Sequence, residues 1–132
     1  MKLTRAASYA LHAVAHMAGQ KSDKPLASHH VAAARGIPER FLLKVLKPLV
    51  SARVLTSVKG PNGGYRLARP AAEISMLEII EAVDGPIRGH SPATDEKNSL
   101  NGKLDAICKE AAETTRKHLE KVHVSDMISG KK

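Results

Sequence analysis

The sequence predicts a mainly α-helical fold with one small β-hairpin, and three observations support this fold class. Apolar residues recur at helical spacing through most of the first fifty positions. A glycine-rich turn within residues 59–67 separates two short β-like runs, which is typical of a hairpin. A second helical pattern fills residues 103–123. We therefore expect one small domain that continues into a long C-terminal helix.

The first helix is predicted over residues 4–18. Apolar side chains return there every three or four positions, and Thr4 is a suitable N-cap. A polar connector over residues 19–25 follows. Ser28 is expected to cap a short helix over residues 29–35, which the next glycine ends.

A further helix is expected to begin with Pro38 as its first residue, where a proline fits well. Its predicted apolar stripe consists of Phe41, Leu42, Val45, Leu46 and Leu49. The opposite face carries Glu39, Arg40, Leu43, Lys44 and Lys47. Pro48 predicts a kink or an end between residues 47 and 51. Two helices joined by a short glycine-containing turn, the second with a basic outer face, indicate a helix-turn-helix.

The hairpin that follows is predicted to have strands over residues 54–58 and 65–68. Three glycines permit a tight reversal with positive φ: Gly60, Gly63 and Gly64. Its tip offers backbone amides and Asn62, while Lys59 and Arg66 flank it. A protruding hairpin with cations and free amides suits contact with phosphate or entry into a minor groove. Together with the preceding helices, it indicates a winged helix-turn-helix.

Three segments are expected along the chain: a winged helix-turn-helix domain over residues 1–85, a flexible loop over 86–102, and a C-terminal helix and tail over 103–132. Ser75 and Glu78 form a capping box, which predicts a helix that closes the first segment. The C-terminal helix has a moderately apolar seam that suits packing on a neighbour. The seam consists of Leu104, Cys108, Ala111, Thr115, His118 and Val122.

Charge is divided unevenly between the two halves of the chain. Residues 1–70 hold 12 lysines and arginines against 2 acidic residues, which leaves +10. Residues 71–132 hold 9 basic and 11 acidic residues, which leaves −2. This partition indicates a polyanion-binding half joined to a nearly neutral half with another task. Two tyrosines and one phenylalanine are too few for base stacking to be the main mode of binding.

Several classes of protein are not expected. No apolar run approaches the length of a membrane span, no signal-peptide pattern is present, and a single cysteine fits the reducing cytoplasm. No motif places a nucleophile beside a base, so an enzyme is not expected. His12 and His16 share a helix face but lack a third ligand, so neither a metal nor another cofactor is expected. Cys108 is either a thiol sensor or a small buried hydrophobe.

The elements and their order resemble the IscR/NsrR-type winged-helix transcription regulators of bacteria. The residues that carry the resemblance are Leu3, Thr4, Tyr9 and Ala10, then Gly36, Ile37, Phe41 and Leu42, then Val54, Leu55, Ser57, Gly60, Pro61, Gly63, Gly64, Tyr65 and Leu67, and finally Ile74, Ser75, Glu78, Ile79, Ala82 and Val83. The resemblance covers residues 1–85 firmly and the C-terminal helix more loosely.

The resemblance implies a homodimeric regulator, a repressor by family habit, that binds a roughly palindromic operator in double-stranded DNA. The long C-terminal helices would cross at the dimer interface. The implied DNA-contacting residues are Thr4, Tyr9, Ser28, Pro38, Glu39, Arg40, Leu43, Lys44, Lys47, Lys59, Gly60, Asn62 and Tyr65. Of these, Arg40 is expected to read guanine, and Thr4, Tyr9, Ser28 and Lys47 are expected to contact phosphates.

One departure concerns the sensor. Cluster-binding members of the family carry three cysteines in a stretch that corresponds to residues 88–105, which contain none here. The resemblance therefore implies a cluster-free member, without a [2Fe–2S] centre.

Two alternatives remain open from the sequence. The signal could arrive through a protein partner that docks on the neutral C-terminal half, and a small-molecule effector is also possible. Alternatively, the winged helix could serve protein assembly and bind no DNA, in which case partner binding would be insensitive to salt.

Overall fold

The computed structural model describes residues 1–92 and 99–129, and these contain six α-helices and one two-stranded antiparallel sheet. The elements are α1 (Arg5–Ala18), α2 (Ser28–Arg35), α3 (Glu39–Ser51), β1 (Leu55–Val58), β2 (Gly64–Leu67), α4 (Met76–Asp84), α5 (Ser99–Glu120) and α6 (Val124–Met127), with a 3-10 turn at Ala71–Glu73. The predicted fold class, mainly α with a small hairpin, is confirmed.

The central helix is α1, which packs against α2, α3 and α4. The Ala7 amide donates to Thr4 Oγ1 at 3.0 Å, so Thr4 is the N-cap that the sequence predicts. The buried face of α1 consists mainly of small side chains: Ala7, Ala10, Leu11, Ala13, Val14 and Met17. Small residues at a helix contact shorten the distance between helix axes, so three helices can surround α1.

The recognition helix of the predicted helix-turn-helix is α3. It buries Leu42, Val45, Leu46 and Leu49 in the core. It continues through Pro48 and ends at Ser51, inside the predicted window, and Pro38 occupies the N-cap instead of the first helical position. The placement of Phe41 in the buried stripe was wrong, because its side chain is 38% exposed. At about 100° per residue, Phe41 falls at the edge of that stripe.

The turn between α2 and α3 is made by Gly36, whose φ of 65° is the left-handed conformation of a helix C-cap. The expectation that Ser28 caps α2 was wrong. Ala27 is the N-cap, and Ser28 is the first helical residue. Ser28 Oγ instead donates a hydrogen bond to Glu39 Oε2 at 2.8 Å. A carboxylate is a stronger acceptor than a neutral group, so this bond ties the start of α2 to the start of α3.

The wing is a regular hairpin in which Leu55 pairs with Leu67 and Val58 pairs with Gly64. The strand bounds differ by one residue from those predicted, since Val54 precedes β1 and Ala68 follows β2. Backbone hydrogen bonds between strands so short provide little independent stability, so the hairpin needs support from the rest of the fold.

That support comes from the connector between α1 and α2. Leu26 and Tyr65 exchange two backbone hydrogen bonds, of 2.9 and 2.8 Å. Beside them, Gly64 has a φ of 149°, and a Cβ there would lie 2.2 Å from the Leu26 carbonyl oxygen. Only glycine permits this approach, so the turn end of β2 is fixed against the connector between α1 and α2.

The C-terminal helix α5 begins earlier than the predicted residue 103 and ends before the predicted residue 123. Among its described residues, Leu119 alone is buried. The chain then returns to the domain, where the Val124 amide donates to the Ile74 carbonyl at 2.9 Å. The C-terminal end of α5 is therefore anchored to the domain, while most of the helix surface remains exposed.

The described part of the predicted flexible loop, residues 86–92, runs along α5 with specific contacts. The Ser91 amide donates to Asp105 Oδ1 at 3.1 Å. A Cβ on Gly89 would lie 1.8 Å from the Cys108 carbonyl oxygen, so the two backbones are in direct contact. This segment is thus held on α5. The rest of the loop at 93–98 and the tail at 130–132 lie outside the described residues.

Candidate nucleic-acid interface

The exposed face of α3 carries the four charged side chains and the leucine that the sequence placed there. Those residues are Glu39, Arg40, Leu43, Lys44 and Lys47, and all are exposed. The opposite face of the helix is buried, so packing of the core sets the direction in which these side chains point. Three cations and one acid form a surface that favours a polyanion.

Phe41 belongs to the same exposed surface, which sequence reasoning missed. The Arg40 guanidinium carbon lies 5.1 Å from the centre of the Phe41 ring, and Lys44 Nζ lies 5.6 Å from it. Both distances are within the range of cation–π attraction. The available signal was the position of Phe41 at the edge of the apolar stripe, next to two cations at helical spacing.

Glu39 and Ser28, both expected to approach DNA, are brought together by the hydrogen bond between them. The Ser28 hydroxyl proton is engaged by the carboxylate, which leaves the hydroxyl oxygen as an acceptor. Pro38 is exposed beside Glu39. The structure therefore groups these three residues at the N-terminal end of α3, and their contacts with DNA stay predictions.

At the tip of the wing, Lys59, Gly60 and Asn62 are exposed, as is Arg66 on β2. The Gly63 amide donates to the Gly60 carbonyl at 3.0 Å and closes the turn. Tyr65 differs from the others because it is half-buried and packs against the core. The wing thus presents Lys59 and Asn62 at its tip and Arg66 on its second strand, while Tyr65 ties that strand to Leu26 of the connector.

Thr4 and Tyr9 are held by the protein itself. Besides capping α1, the Thr4 hydroxyl donates to the carboxylate of Asp84, with oxygen distances of 2.8 and 2.9 Å. Tyr9 is half-buried against the core. A carboxylate beside Thr4 disfavours an approaching phosphate. Both residues therefore have structural roles, and the proposed phosphate contacts stay untested.

The histidine pair on α1 is already engaged on one side. Arg35 Nε donates to His16 Nδ1 at 3.2 Å, which requires that nitrogen to be unprotonated. Burial lowers the pKa of His16, and the neighbouring Arg35 guanidinium lowers it further. Across the part of the chain that the structure describes, no three His, Cys, Asp or Glu side chains are grouped to hold a metal ion.

Cys108 is half-buried, and its backbone is in contact with that of Gly89. The neighbouring cation, Lys109, is paired with another residue, because its Nζ lies 3.1 Å from Asp105 Oδ2. The sensor role of Cys108 stays a prediction. Within residues 1–92 and 99–129, no helix is long and apolar enough to cross a bilayer.

A comparison with known protein families shows to which family the chain belongs. Residues 3–130 match the model of the Rrf2 family, which is described as an iron-dependent transcriptional regulator. The chain belongs to the Rrf2 family. The expected resemblance to IscR-type regulators is confirmed by relatives of that name, including IscR of Vibrio atlanticus, an HTH-type transcriptional regulator. It is 40% identical over 86 residues, which cover 64% of this chain and 49% of the relative.

Two further likenesses agree with the Rrf2 assignment. A candidate HTH-type transcriptional regulator of Mycobacterium tuberculosis is 38% identical over 87 residues, which cover 66% of this chain and 54% of the relative. The chain spans about half the length of the curated relatives it matches. The structure of CymR from B. subtilis, the global cysteine regulator, covers 100% of this chain and 99% of its own, with a TM-score of 0.80 and 20% identity. That likeness shows the Rrf2 fold.

The residues present do not fit an iron–sulfur cluster, although the family description mentions iron. Such clusters take four protein ligands, which are mostly cysteine thiolates. This chain has one cysteine, Cys108, and it is half-buried within α5. One thiolate cannot supply the ligand set of a cluster.

Proposed function

We propose that this chain is a sequence-specific, DNA-binding regulator of transcription. The observation that carries the proposal is α3, a helix buried on one face that presents Arg40, Lys44 and Lys47 on the other. It occupies the second position of a helix-turn-helix in a family of transcriptional regulators. In such domains the second helix enters the major groove, and its N-terminal residues meet base edges.

Individual roles follow from position on α3 and from side-chain chemistry. Arg40 lies in the first turn, where a guanidinium can bind guanine O6 and N7 in a bidentate manner. Lys47 lies two turns further on and suits a phosphate contact, which positions the protein without reading sequence. Lys59 on the wing suits the neighbouring minor groove, although lysine recognises groove width less well than arginine.

The proposal includes a homodimer. On α5, Leu104 is 40% exposed and Ile107 is 63% exposed, and Ala111 is exposed beside them. At spacings of three and four residues these side chains form one stripe. A second copy of the chain would cover this stripe, and its recognition helix would meet the next major groove of a palindromic site, about 34 Å away.

Repression in the bacterial cytoplasm completes the proposal. A dimer bound across a promoter would exclude the polymerase by occupancy alone, without any contact to it. Transcription in vitro from the bound promoter should fall as the protein is added. A rise in transcription would instead indicate an activator.

The test is fluorescence anisotropy with a duplex selected from a random pool, compared with a scrambled duplex of the same composition. Binding to the selected duplex should be tighter, and affinity should fall on the order of a thousandfold between about 50 and 200 mM salt if ~6–10 phosphates are contacted. Equal affinity for both duplexes would contradict sequence-specific binding. Absence of DNA binding, with salt-insensitive capture of a protein, would favour the assembly alternative.

A further inference from the structure

Phe41 is a large aromatic side chain on the exposed surface of α3, where the other exposed residues except Leu43 are polar or charged. The chain has only two other aromatic residues besides histidine, Tyr9 and Tyr65, and both pack against the core. Exposure of a Phe ring to water is unfavourable unless another apolar surface covers it. The position of Phe41 therefore raises the question of what covers the ring in the functional state.

The ring lies close to both cations that are expected to approach DNA. Arg40 and Lys44 are one helical turn apart, and their charged groups lie 5.1 and 5.6 Å from the centre of the Phe41 ring. These contacts favour positions of both long side chains near the ring. When the cations enter the major groove, the ring enters with them.

A phenyl ring offers no hydrogen bond in its plane to the donors and acceptors of base edges. The apolar group that the major groove presents is the C5-methyl of thymine. We propose that Phe41 contacts thymine methyl groups and so is an apolar determinant of the DNA sequence, next to the guanine contact expected of Arg40. This inference rests on the proposed function.

Leu43 is the rival apolar residue on α3, since it is 44% exposed. At about 100° per residue it lies on the far side of Arg40 from Phe41. It is four residues after Glu39, so a carboxylate that phosphates repel is its neighbour. Leu43 is therefore the matched control for an exposed apolar side chain on the same helix.

The experiment compares two duplexes of the selected sequence, one with thymine and one with deoxyuridine at every thymine position. Deoxyuridine removes the methyl group and keeps the base pairing. Native protein should bind the deoxyuridine duplex about fourfold more weakly for each contacted methyl, and about sixteenfold more weakly if both half-sites contribute, the fold-changes expected from burial of a methyl group. Phe41→Ala should bind the two duplexes equally, whereas Leu43→Ala should keep the native ratio.

Two results would overturn the inference: equal binding of native protein to both duplexes, or a thymine preference that persists in Phe41→Ala. Phe41→Leu is a second variant in case Phe41→Ala does not fold. Its aliphatic side chain at this half-exposed site should retain part of the preference for thymine over deoxyuridine. Specific binding that is indifferent to the methyl groups would leave the proposed function intact and remove Phe41 from readout. Failure to bind any duplex would remove both proposals together.

Discussion

α3 and α5 both expose large apolar side chains, but their surroundings differ. On α3, Phe41 is flanked by Arg40 and Lys44, and the opposite face of the helix lies in the core. On α5, Leu104 and Ile107 form a stripe on a helix that is anchored mainly at its C-terminal end.

The difference shows that exposure of apolar groups does not by itself assign a surface. An apolar residue surrounded by cations suits binding to a nucleic acid. The cations neutralise the phosphates that surround any contact between the protein and the bases. A continuous apolar stripe on a weakly anchored helix suits contact with another protein, whose apolar surface would cover the stripe. Variants of the two helices and of the contacts that hold them test whether α3 binds DNA and α5 mediates assembly.

The largest effect is expected from the double variant Leu104→Glu/Ile107→Glu. Two buried carboxylates would prevent α5 from pairing with a second copy, so sedimentation should show a monomer. Operator affinity should fall by on the order of a hundredfold or more, because the second half-site no longer adds to the first.

Ala106→Glu is the control for this double variant, because Ala106 is exposed on α5 but lies away from the stripe. It should leave both the mass and the affinity unchanged. A double variant that remains dimeric would show that the stripe of α5 is not the interface.

The next effect distinguishes two cations on α3. Arg40→Ala should weaken binding to the selected duplex by about 1–3 kcal/mol and leave binding to scrambled DNA almost unchanged, because the lost contact is to a base. Lys47→Ala should weaken binding to both duplexes equally. It should also reduce the slope of log affinity against log salt concentration by about one, as expected for one lost phosphate contact. Anisotropy titrations at two salt concentrations measure both quantities. Equal losses on both duplexes for Arg40→Ala would refute its base contact.

The success of sequence reasoning depended on the distance between interacting residues. Local signals sufficed where a residue acts on its neighbours: the Ser75–Glu78 capping box, the Gly36 C-cap and the glycine-rich hairpin all lie where they were expected. These signals need only a few consecutive residues, so periodicity and turn chemistry reveal them.

Contacts between distant segments could not be foreseen in the same way. The Ser28 hydroxyl looked like a helix cap until folding placed Glu39 beside it, and Thr4 gained Asp84 from the far end of the domain. The exposure of Phe41 had a similar cause. Its place at the edge of a stripe is readable, but whether a neighbour covers that edge depends on packing.

A smaller effect is expected where α5 is attached to the domain. Glu81 on α4 accepts hydrogen bonds from Arg116 Nε at 3.1 Å, Arg116 Nη2 at 3.2 Å and the Ile87 amide at 2.8 Å. Arg116→Met keeps an unbranched stem like the aliphatic part of arginine and removes the ion pair, which is partly exposed and worth about 1 kcal/mol or less.

Hydrogen exchange would report this local loosening. Amides of α5 should exchange faster in Arg116→Met, while amides of α3 should not change, because the ion pair joins α4 to α5 and does not involve α3. Lys117→Met, which neutralises the neighbouring exposed cation, is the control and should alter neither helix. Equal acceleration in both helices would mean that α3 and α5 open as one cooperative unit. It would contradict the difference in local stability expected between the two helices.

The smallest effect concerns the ion pair between Arg69 and Glu78, which lies within residues 1–85, the proposed winged helix-turn-helix domain. Burial raises the pKa of Glu78, but hydrogen bonds from Arg69 and Ser75 outweigh it, and the net pKa lies below the ordinary value for glutamate. A lowered carboxyl pKa in the folded state stabilises the protein above the unfolded pKa of about 4.3, and this contribution is lost as the pH falls through the folded value.

Glu78→Gln isolates that charge, because glutamine also satisfies a capping box. The variant should be less stable than native protein at pH 7, by less than about 1 kcal/mol since both side chains are partly exposed. The difference should shrink as the pH falls below about 4. Urea unfolding at pH 7 and pH 3 measures it. A constant difference at both pH values would assign the effect to side-chain geometry, and the ion pair would then add nothing to the stability of residues 1–85.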